Sequence, residues 1–216
     1  MSEHDGDDHG HEHDHGDDQA SEDEDHDHHE HADEQDHHGH EDHDHHHHHD
    51  ITSLGVGVVT VSSSRSLDDD PAGDTIEATF EDEGHEVVVR ELVPDEFDSV
   101  QGTVSRLTER RDVDAVVTTG GTGVTPDDVT VEAARQLFEK ELPGFGELFR
   151  RFSYDDIGTT VIATRATAGI SNGCPVFCLP GSRPAVELGV EDIILPEVPH
   201  LAGLAQREEP EEDDEE

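Results

Sequence analysis

Three short loops rich in glycine and hydroxyl-bearing residues each follow a run of apolar, β-branched residues. In chain order they are Ser62-Ser63-Ser64, Gly120-Gly121-Thr122-Gly123 and Pro180-Gly181-Ser182. Glycine leaves neighbouring backbone N–H groups uncovered, and successive N–H groups in such turns form concave sites that bind anions. A single loop of this kind says little, but three of them after predicted strands indicate a phosphorylated ligand.

Carboxylates accompany these loops. Asp95 directly follows the second predicted strand, and Asp127 and Asp128 follow the glycine loop. Carboxylates repel phosphate unless a cation lies between them, and Mg²⁺ takes one or two carboxylates together with substrate phosphates and water. The pattern therefore favours Mg²⁺-assisted phosphate chemistry at Asp95 and Asp128. Simpler roles stay open, with Asp127 as a turn residue after Pro126 and Asp95 as the N-cap of the next helix.

Two common nucleotide-binding motifs are missing from the sequence. No G-x-G-x-x-G follows the first predicted strand, and no G-K-[ST] occurs in the chain. The first motif holds a dinucleotide and the second a nucleoside triphosphate. Their absence argues against an NAD enzyme and against an ordinary P-loop ATPase.

The elements that must position these loops alternate between strand and helix. Apolar β-branched runs predict strands over 54–61, 86–93, 114–119, 160–168 and 175–179, and helical spacing predicts helices over 73–83, 97–107, 129–138, 144–152, 184–193 and 195–206. Such alternation predicts βαβ units, a mostly parallel sheet and right-handed crossovers. Ligands of open α/β sheets bind beyond the carboxyl ends of the strands, which is where the three loops fall.

The charge of the chain is unevenly distributed. The 216 residues carry a formal net charge of −45, and residues 1–50 hold 21 acids and 18 of the 20 histidines with no Lys or Arg. Residues 208–216 hold another 8 acids. Segments with so few apolar residues cannot offset the entropy cost of ordering the backbone. We therefore predict a disordered His/Asp/Glu-rich extension over 1–50, a folded domain over 51–207 and a disordered acidic tail over 208–216.

The extension ends in a run of five histidines. These are His45, His46, His47, His48 and His49. Neutral imidazole is a common ligand of Zn²⁺ and Ni²⁺, so the run would bind either ion. A metal-buffering or metal-delivery tail and a merely solvating low-complexity extension are both compatible with this composition.

Composition also excludes several classes of protein. No stretch approaches about 18 consecutive apolar residues, and the N-terminus lacks the pattern of a secretory signal. The strong acidity disfavours nucleic-acid binding, because that requires neutralisation of phosphates. Cys174 and Cys178 lie four apart on a predicted buried strand, which favours packing on one face in a reduced, cytoplasmic protein. Lys140 is the only lysine beside eleven arginines, and with the acidity this indicates a salt-accumulating source such as a haloarchaeon, although an acidic mesophilic protein fits too.

Several motifs in order resemble the MoaB/Mog family of molybdenum cofactor biosynthesis. The main ones are Thr118-Thr119-Gly120-Gly121-Thr122-Gly123, Asp128-Val129-Thr130, Pro143-Gly144-Phe145-Gly146-Glu147 and Leu179-Pro180-Gly181-Ser182. They are joined by Asp70-x-x-Gly73, Pro94-Asp95-Glu96 and Pro199-His200-Leu201. The resemblance covers residues 54–206, and the Pro-Gly-Phe-Gly-Glu element is its most specific part.

The resemblance implies a fold, an activity and an assembly. The family fold is a three-layer α/β/α sandwich around a mostly parallel sheet, assembled as a homotrimer or homohexamer. Active members use Mg²⁺ to transfer AMP from ATP to the terminal phosphate of molybdopterin and release pyrophosphate. The product then accepts molybdate or tungstate, so a contact with the later molybdate-insertion enzyme is implied as well.

Site residues carry over from the family position by position. Asp95 and Asp128 match its two key acids, which implies a catalytic and Mg²⁺-binding role. Phosphate or nucleotide binding is implied for Ser62, Ser63, Asp70, Gly73, Gly120, Gly121, Thr122 and Gly123. Molybdopterin binding is implied for Pro180, Gly181, Ser182, Glu147 and Arg165. The Asp70-x-x-Gly73 element departs from the family, because Pro71-Ala72 stands where Lys-Ser or Thr-Ser is common.

Two other functions remain open at this point. One is a non-catalytic molybdopterin-binding protein with the same fold, and the other is a nucleotide hydrolase that uses the same phosphate site. The presence of both Asp95 and Asp128 favours the adenylyltransferase.

Overall fold

A six-stranded sheet runs through the residues that the computed structural model describes, which are 50–206. Its strands are β1 (Gly55–Val61), β2 (Glu86–Val93), β3 (Ala115–Thr119), β4 (Lys140–Glu141), β5 (Thr167–Ser171) and β6 (Cys174–Leu179). They lie in the order β2-β1-β3-β6-β5-β4. The first four strands of that row are parallel, whereas β5 runs antiparallel to both of its neighbours. The mostly parallel sheet predicted from the sequence is confirmed.

Helices cover both faces of this sheet. They are α1 (Pro71–Asp82), α2 (Phe97–Thr108), α3 (Thr130–Arg135), α4 (Pro143–Ile157), α5 (Arg183–Gly189) and α6 (Leu195–Ala205). A 3₁₀ helix over Gly158–Ala163 follows α4, and a π-helical turn over Val190–Ile194 joins α5 to α6. Helices α1, α4, α5 and α6 share one hydrophobic cluster, while α2 and α3 share another. The fold is therefore a three-layer α/β/α sandwich.

Side chains along the central strands point alternately to the two faces of the sheet, and this divides the core into these two clusters. Val56 and Val58 of β1 pack with α1, whereas Val59 and Val61 pack with α2. All four side chains are at least 96% buried. A strand that is apolar on both faces needs helices on both sides, and this explains the continuous apolar run in its sequence.

The chain reverses its direction across the sheet between β1 and β3. It passes from β1 through α1 to β2 on one side, then returns through α2 to β3 on the other side of β1. The loops after β1 and β3 therefore leave neighbouring strands at the point where the strand order reverses. This is the position at which doubly wound sheets bind ligands.

One predicted strand is wrong. The sequence 160–168 reads as a strand because Val161-Ile162-Ala163 is apolar, but the chain there is a 3₁₀ helix in which Ile162 is 87% exposed. The strand starts only at Thr167, where the residues become buried. Apolar residues alone do not distinguish a strand from a surface segment, because tertiary packing decides which of them are covered.

A tight turn makes β5 antiparallel to β6. Asn172 and Gly173 connect the two strands with φ values of 51° and 70°. Two consecutive positive φ angles are typical of a two-residue β-hairpin, and Asn-Gly is its preferred sequence. This dipeptide is the signal by which the hairpin is recognisable in the sequence.

Other boundaries differ by a few residues. The predicted helix 129–138 is confined to Thr130–Arg135, the helix 144–152 extends to Ile157, and the helix 184–193 divides into α5 and the π-helical turn. The remaining predicted elements coincide with observed ones within about two residues.

Some predictions lie outside the described residues. The extension before residue 50, with His45, His46, His47, His48 and His49, is among them, as is the acidic tail over 208–216. Within 50–206, no helix is long and apolar enough to cross a membrane.

Candidate active site

The glycine loop after β3 and the turn after β6 pack directly against each other. Thr119 Oγ1 donates a hydrogen bond to the Pro180 carbonyl oxygen at 3.0 Å. Gly181 lies so close that a Cβ atom on it would be 3.3 Å from the Gly120 Cα atom. The two segments form one continuous surface, as their positions after neighbouring parallel strands predict.

This surface lines a cavity of about 520 Å³. The loops singled out in the sequence contribute Gly121, Thr122, Gly123, Asp128, Pro180, Gly181 and Ser182. Helices α4 and α5 and the 3₁₀ segment contribute an apolar part of the wall through Phe149, Ile157, Ala163, Ala185 and Leu188. Backbone-rich loops beside an apolar wall suit a ligand that carries both phosphate and a ring system.

The glycine loop adopts a backbone that other residues rarely accept. Gly120 and Gly121 have φ values of +102° and +63°. A Cβ atom would collide with the Val61 carbonyl at the first position and with the Thr130 hydroxyl at the second. Thr130 Oγ1 donates to the Gly120 carbonyl at 2.8 Å and so fixes the loop from the start of α3. Glycine is therefore required at both positions by backbone geometry.

Asp128 closes the far end of this loop and lines the cavity. Its Oδ2 accepts hydrogen bonds from Thr125 N at 2.8 Å and from Thr125 Oγ1 at 2.6 Å. Burial by itself raises the pKa of Asp128, but hydrogen bonds from Thr125 and Gly123 and the charge of Arg165 outweigh burial, and the pKa is lowered. Asp128 is therefore an ionised carboxylate at neutral pH. Asp127 is exposed within the Thr125–Asp128 turn, which agrees with the turn role considered for it.

Arg165 supports the glycine loop by hydrogen bonds to its backbone. Its Nε donates to the Gly123 carbonyl at 2.6 Å, and its Nη2 donates to the Asp128 carbonyl at 2.9 Å. Nη1 donates to the Glu132 carboxylate. Its own N–H donates to the Thr122 carbonyl at 3.1 Å. The guanidinium thus contacts protein groups and is not part of the cavity wall, although the resemblance implies molybdopterin binding for this residue.

Ser63 and Asp95 join the loops after β1 and β2 by a reciprocal pair of hydrogen bonds. Ser63 N donates to Asp95 Oδ2 at 2.6 Å, and Asp95 N donates to Ser63 Oγ at 3.1 Å. The interpretation of Asp95 as a helix N-cap is wrong, because α2 begins after Glu96, which makes no side-chain capping bond. Neither Ser63 nor Asp95 lines the cavity that contains Asp128.

Ser62 shapes the same loop. Its Oγ accepts hydrogen bonds from the N–H groups of Ser64 and Arg65, both at 3.3 Å. The Ser63 and Ser64 side chains are exposed beyond it. Two serines of the predicted phosphate loop are thus partly engaged in holding its turn.

Asp70 and Gly73 are tied to the start of α1. Asp70 is buried, and its carboxylate accepts from Thr60 Oγ1 at 2.5 Å, from Gly73 N at 3.1 Å and from Arg90 Nη2 at 3.0 Å. A Cβ atom at Gly73 would collide with this carboxylate and with the Arg90 guanidinium. The structure brings the pair together as a helix cap and ion pair beneath the first loop, and neither residue lines the cavity.

Glu147 lies apart from the cavity. It is exposed on α4 and lines a separate hollow of about 450 Å³ with Arg135, Arg150 and Arg165. The structure therefore places the molybdopterin-side residues expected from the resemblance in two locations. Pro180, Gly181 and Ser182 lie on the main cavity, while Glu147 and Arg165 lie on the separate hollow.

Sequence reasoning missed several polar residues that line the cavity or lie beside it, namely Ser153, Asp156, Thr160, Thr164 and Arg65. Arg65 follows the serine loop, and its Nη2 donates to the Gly181 carbonyl at 3.3 Å. Thr164 lines the main cavity, and its buried hydroxyl has no hydrogen-bond partner. The sequence could have pointed to Arg65, because it is a cation directly after a predicted phosphate loop, whereas nothing in the sequence points to Thr164.

The described acids suit a metal ion that is shared with substrate. Within residues 50–206, no three His, Cys, Asp or Glu side chains converge on one point. Mg²⁺ does not need such a group, because it takes one or two carboxylates and completes its shell with phosphates and water. An ionised Asp128 beside the glycine loop fits this requirement.

The two cysteines are packing residues, as the sequence predicts. Cys174 and Cys178 are buried on the same face of β6, against the cluster shared by α2 and α3. Burial raises the pKa of Cys174 to about 12 and that of Cys178 to about 11. Both thiols stay protonated at neutral pH and are poor nucleophiles or metal ligands.

The fold and the site define a doubly wound α/β domain with a cavity lined by glycine-containing loops at the carboxyl edge of its sheet. A family model described as "Probable molybdopterin binding domain" matches residues 57–200. The chain is 42% identical over 141 residues to molybdenum cofactor biosynthesis protein B of Halalkalibacterium halodurans, and the match covers 65% of this chain and 83% of that protein. The protein of the same name from Bacillus subtilis is 44% identical over 141 residues, and this match also covers 65% of this chain and 83% of that protein.

Solved structures show the same relationship. A crystal structure of molybdenum cofactor biosynthesis protein B has a TM-score of 0.70 and 39% identity, covering 72% of this chain and 98% of that one. The tungsten cofactor synthesizing protein MoaB from Pyrococcus furiosus has a TM-score of 0.65 and 39% identity, covering 73% and 99%. This chain belongs to the MoaB/Mog family.

Proposed function

We propose that this protein acts in molybdenum cofactor biosynthesis by transferring AMP from ATP to the terminal phosphate of molybdopterin. The observation that carries the proposal is the cavity in which the glycine loop, the Pro180–Ser182 turn and the ionised Asp128 meet an apolar wall. The names of its relatives, molybdenum cofactor biosynthesis protein B, support the pathway. The family resemblance supports the reaction.

The proposed reaction needs no nucleophile from the protein. A phosphate oxygen of molybdopterin attacks the α-phosphorus of ATP, a new P–O bond forms, and the bond to the bridging oxygen breaks as pyrophosphate leaves with its electron pair. No Ser or Cys has to be activated, and the buried, protonated cysteines agree with this. The protein's work is to hold two polyanions in line.

The residues of the chain divide this work between them. The N–H groups of Gly121 and Thr122 hold phosphate oxygens without bringing a counter-charge, while the Gly123 N–H group donates to the Asp128 carboxylate. The apolar wall that includes Phe149 and Leu188 excludes water from the ring portion of a substrate. Asp128 would hold Mg²⁺, which when bound offsets the negative charge of the triphosphate. Asp95 lies outside this cavity, where its hydrogen bonds with Ser63 position the loop after β1.

The decisive experiment is an adenylylation assay. The full chain is incubated with molybdopterin, ATP and Mg²⁺ at high salt, and adenylylated molybdopterin and pyrophosphate are measured together. We expect equal amounts of the two products. Molybdopterin binding without product would instead favour a non-catalytic binding protein of the same fold, and release of phosphate or pyrophosphate without adenylylated product would favour a hydrolase.

We also propose that the chain forms a homotrimer or homohexamer. Large apolar side chains are exposed between residues 148 and 162, namely Leu148, Phe152, Tyr154, Ile157 and Ile162. Apolar side chains exposed together are unfavourable in water, even on a chain with 57 acidic residues, and a second copy of the chain would cover them. Sedimentation equilibrium at high salt tests the assembly, and a monomer over the whole concentration range would contradict it.

A further inference from the structure

We propose that Arg65 is an anion-binding residue of this site and contributes its guanidinium to phosphate oxygens where the loop after β1 meets the Pro180–Ser182 turn. Nothing in the three glycine and serine loops supplies a full positive charge. The inference deepens the proposed function and rests on it, because it assumes substrates that carry phosphate.

The position of Arg65 is well defined by contacts at both ends of the residue. Its backbone N–H donates to Ser62 Oγ at 3.3 Å, and its Nη2 donates to the Gly181 carbonyl at 3.3 Å. The side chain therefore bridges two of the three predicted phosphate loops. It is 34% exposed, so it is reachable by a ligand without being free in solvent.

Asp70 forms an ion pair with this guanidinium but takes none of its hydrogen-bond donors. The Asp70 Oδ1 atom lies 3.8 Å from Arg65 Nη1, too far for a hydrogen bond. The same carboxylate already accepts hydrogen bonds from Thr60, Gly73 and Arg90. Among the described residues, the hydrogen bond to Gly181 is the only one that the Arg65 side chain donates, although a guanidinium carries five donors.

The other arginines near these loops are occupied. Arg165 donates to Gly123, Asp128 and Glu132, and it supports the glycine loop from outside the cavity. Arg183, next to Ser182, pairs with Glu187 at 2.8 Å. Of these three cations, Arg65 alone keeps most of its donors available.

A guanidinium with unused hydrogen-bond donors is the group that this site needs. Both proposed substrates are polyanions, and the chain around them is strongly acidic, with exposed Asp68 and Asp69 close to Arg65 in sequence. Arginine binds phosphate through two parallel N–H bonds in a fixed plane, whereas lysine offers a point charge. Arg65 is placed to attract the phosphates and to orient them.

The test measures binding without turnover. Full-length wild type, Arg65→Gln and Arg65→Lys are titrated calorimetrically with inorganic pyrophosphate, with molybdopterin and with adenosine, in the presence of Mg²⁺. The matched control is Arg183→Gln, which removes the same charge beside the same turn from a surface ion pair. Thermal melting of each variant reports its folding.

We expect Arg65→Gln to bind pyrophosphate, molybdopterin or both about 10- to 100-fold more weakly, since hydrogen bonds to charged groups contribute that much. Arg65→Lys should recover part of the loss, and Arg183→Gln should stay within about twofold of wild type. Adenosine, which lacks phosphate, should bind all variants equally. Which of the two anions is affected tells whether the guanidinium serves the nucleotide or molybdopterin.

Three results would overturn the proposal. The first is that Arg65→Gln binds both anions as tightly as wild type does. The second is that Arg65→Gln loses adenosine binding as much as anion binding, which would mean a collapsed loop. The third is that Arg183→Gln weakens anion binding as much as Arg65→Gln does. Because pyrophosphate binding needs no catalysis, a wild type that binds it but forms no adenylylated product would contradict the proposed function and leave the role of Arg65 standing.

Discussion

The Arg165 side chain binds the backbone of Asp128. Arg165 Nη2 donates to the Asp128 carbonyl at 2.9 Å while the Asp128 side chain lines the cavity. The same guanidinium holds the Gly123 carbonyl at 2.6 Å. Its charge also contributes to the lowered pKa of the Asp128 carboxyl. One arginine outside the cavity therefore helps to position an acid inside it and favours its ionised form.

Replacing Arg165 by Gln should loosen the glycine loop. Several hydrogen bonds from one charged group are lost together, so we expect the free energy of unfolding to fall by about 1–3 kcal/mol. The Asp128 pKa should rise, because a nearby positive charge is removed. Urea unfolding and the KM for ATP would both show the change.

The control for Arg165 is Arg135→Gln. Arg135 is half exposed and meets Glu141 only at 3.9 Å, so its removal should cost less than about 0.5 kcal/mol. Arg165→Lys should behave almost like Arg165→Gln, because one ammonium cannot reproduce the planar fork. A fully active Arg165→Lys variant would contradict the assigned geometry.

Replacing Asp128 by Asn should remove adenylylation while the fold and molybdopterin binding remain. The amide oxygen still accepts from Thr125 N, so the turn survives, but the negative charge beside the glycine loop is lost. We expect turnover to fall by about 10²- to 10³-fold, in line with the loss of one electrostatic contact to the reacting groups. Wild-type turnover by Asp128→Asn in the Mg²⁺/ATP assay would refute its role.

Gly121→Ala should damage the loop that holds phosphate. The residue has a φ of +63°, and its Cβ would collide with the Thr130 hydroxyl. We expect a loss of about 1–3 kcal/mol in stability and weaker pyrophosphate binding. Gly102→Ala is the control, because Gly102 lies in α2 with open space around it and alanine should stabilise that helix by about 0.5–1 kcal/mol. Equal behaviour of the two variants would contradict this account.

The buried Asp70 should make stability depend on pH in the acid range. Burial by itself raises its pKa, but hydrogen bonds from Thr60, Gly73 and Arg90 and the charge of Arg90 lower it below the ordinary value of 3.8. A carboxyl with a depressed folded-state pKa adds stability above its unfolded-state pKa, and this contribution is lost as pH falls through the folded-state pKa. Asp70→Asn should thus be about 1–3 kcal/mol less stable at pH 7, with the difference shrinking below about pH 4.

Urea unfolding of both proteins at a series of pH values measures this effect. Asp74→Asn serves as the comparison, because Asp74 pairs with the same Arg90 at 2.6 Å but is 64% exposed. Its loss should be smaller at every pH. A difference between wild type and Asp70→Asn that does not change with pH would argue against the ion pair as its cause.

The two cysteines should resist alkylation in the native protein. Their pKa values of about 12 and 11 leave almost no thiolate at pH 8, and burial blocks access. Iodoacetamide should label neither thiol in the folded chain and both in guanidinium chloride. Rapid labelling of Cys178 in native protein would show that this part of the core opens easily.

The sequence by itself determined the parallel part of the sheet and the closeness of the loops that follow its strands. Alternating apolar runs predicted parallel strands, and parallel strands end at one edge, so the serine loop, the glycine loop and the Pro180–Ser182 turn had to be close. Even the hairpin that reverses β5 has its Asn172-Gly173 signal in the chain. These features depend on residues that are close together along the chain, so they can be predicted from the sequence.

Only the tertiary structure decided which side chains face the cavity. The resemblance implies the same role for Arg165 and Glu147, yet Arg165 reaches Gly123 across 42 residues while Glu147 is exposed on α4. Asp70 likewise became a buried partner of Arg90, 20 residues away. Side-chain direction depends on contacts between segments far apart in the chain, and those contacts exist only once the sheet and helices have packed.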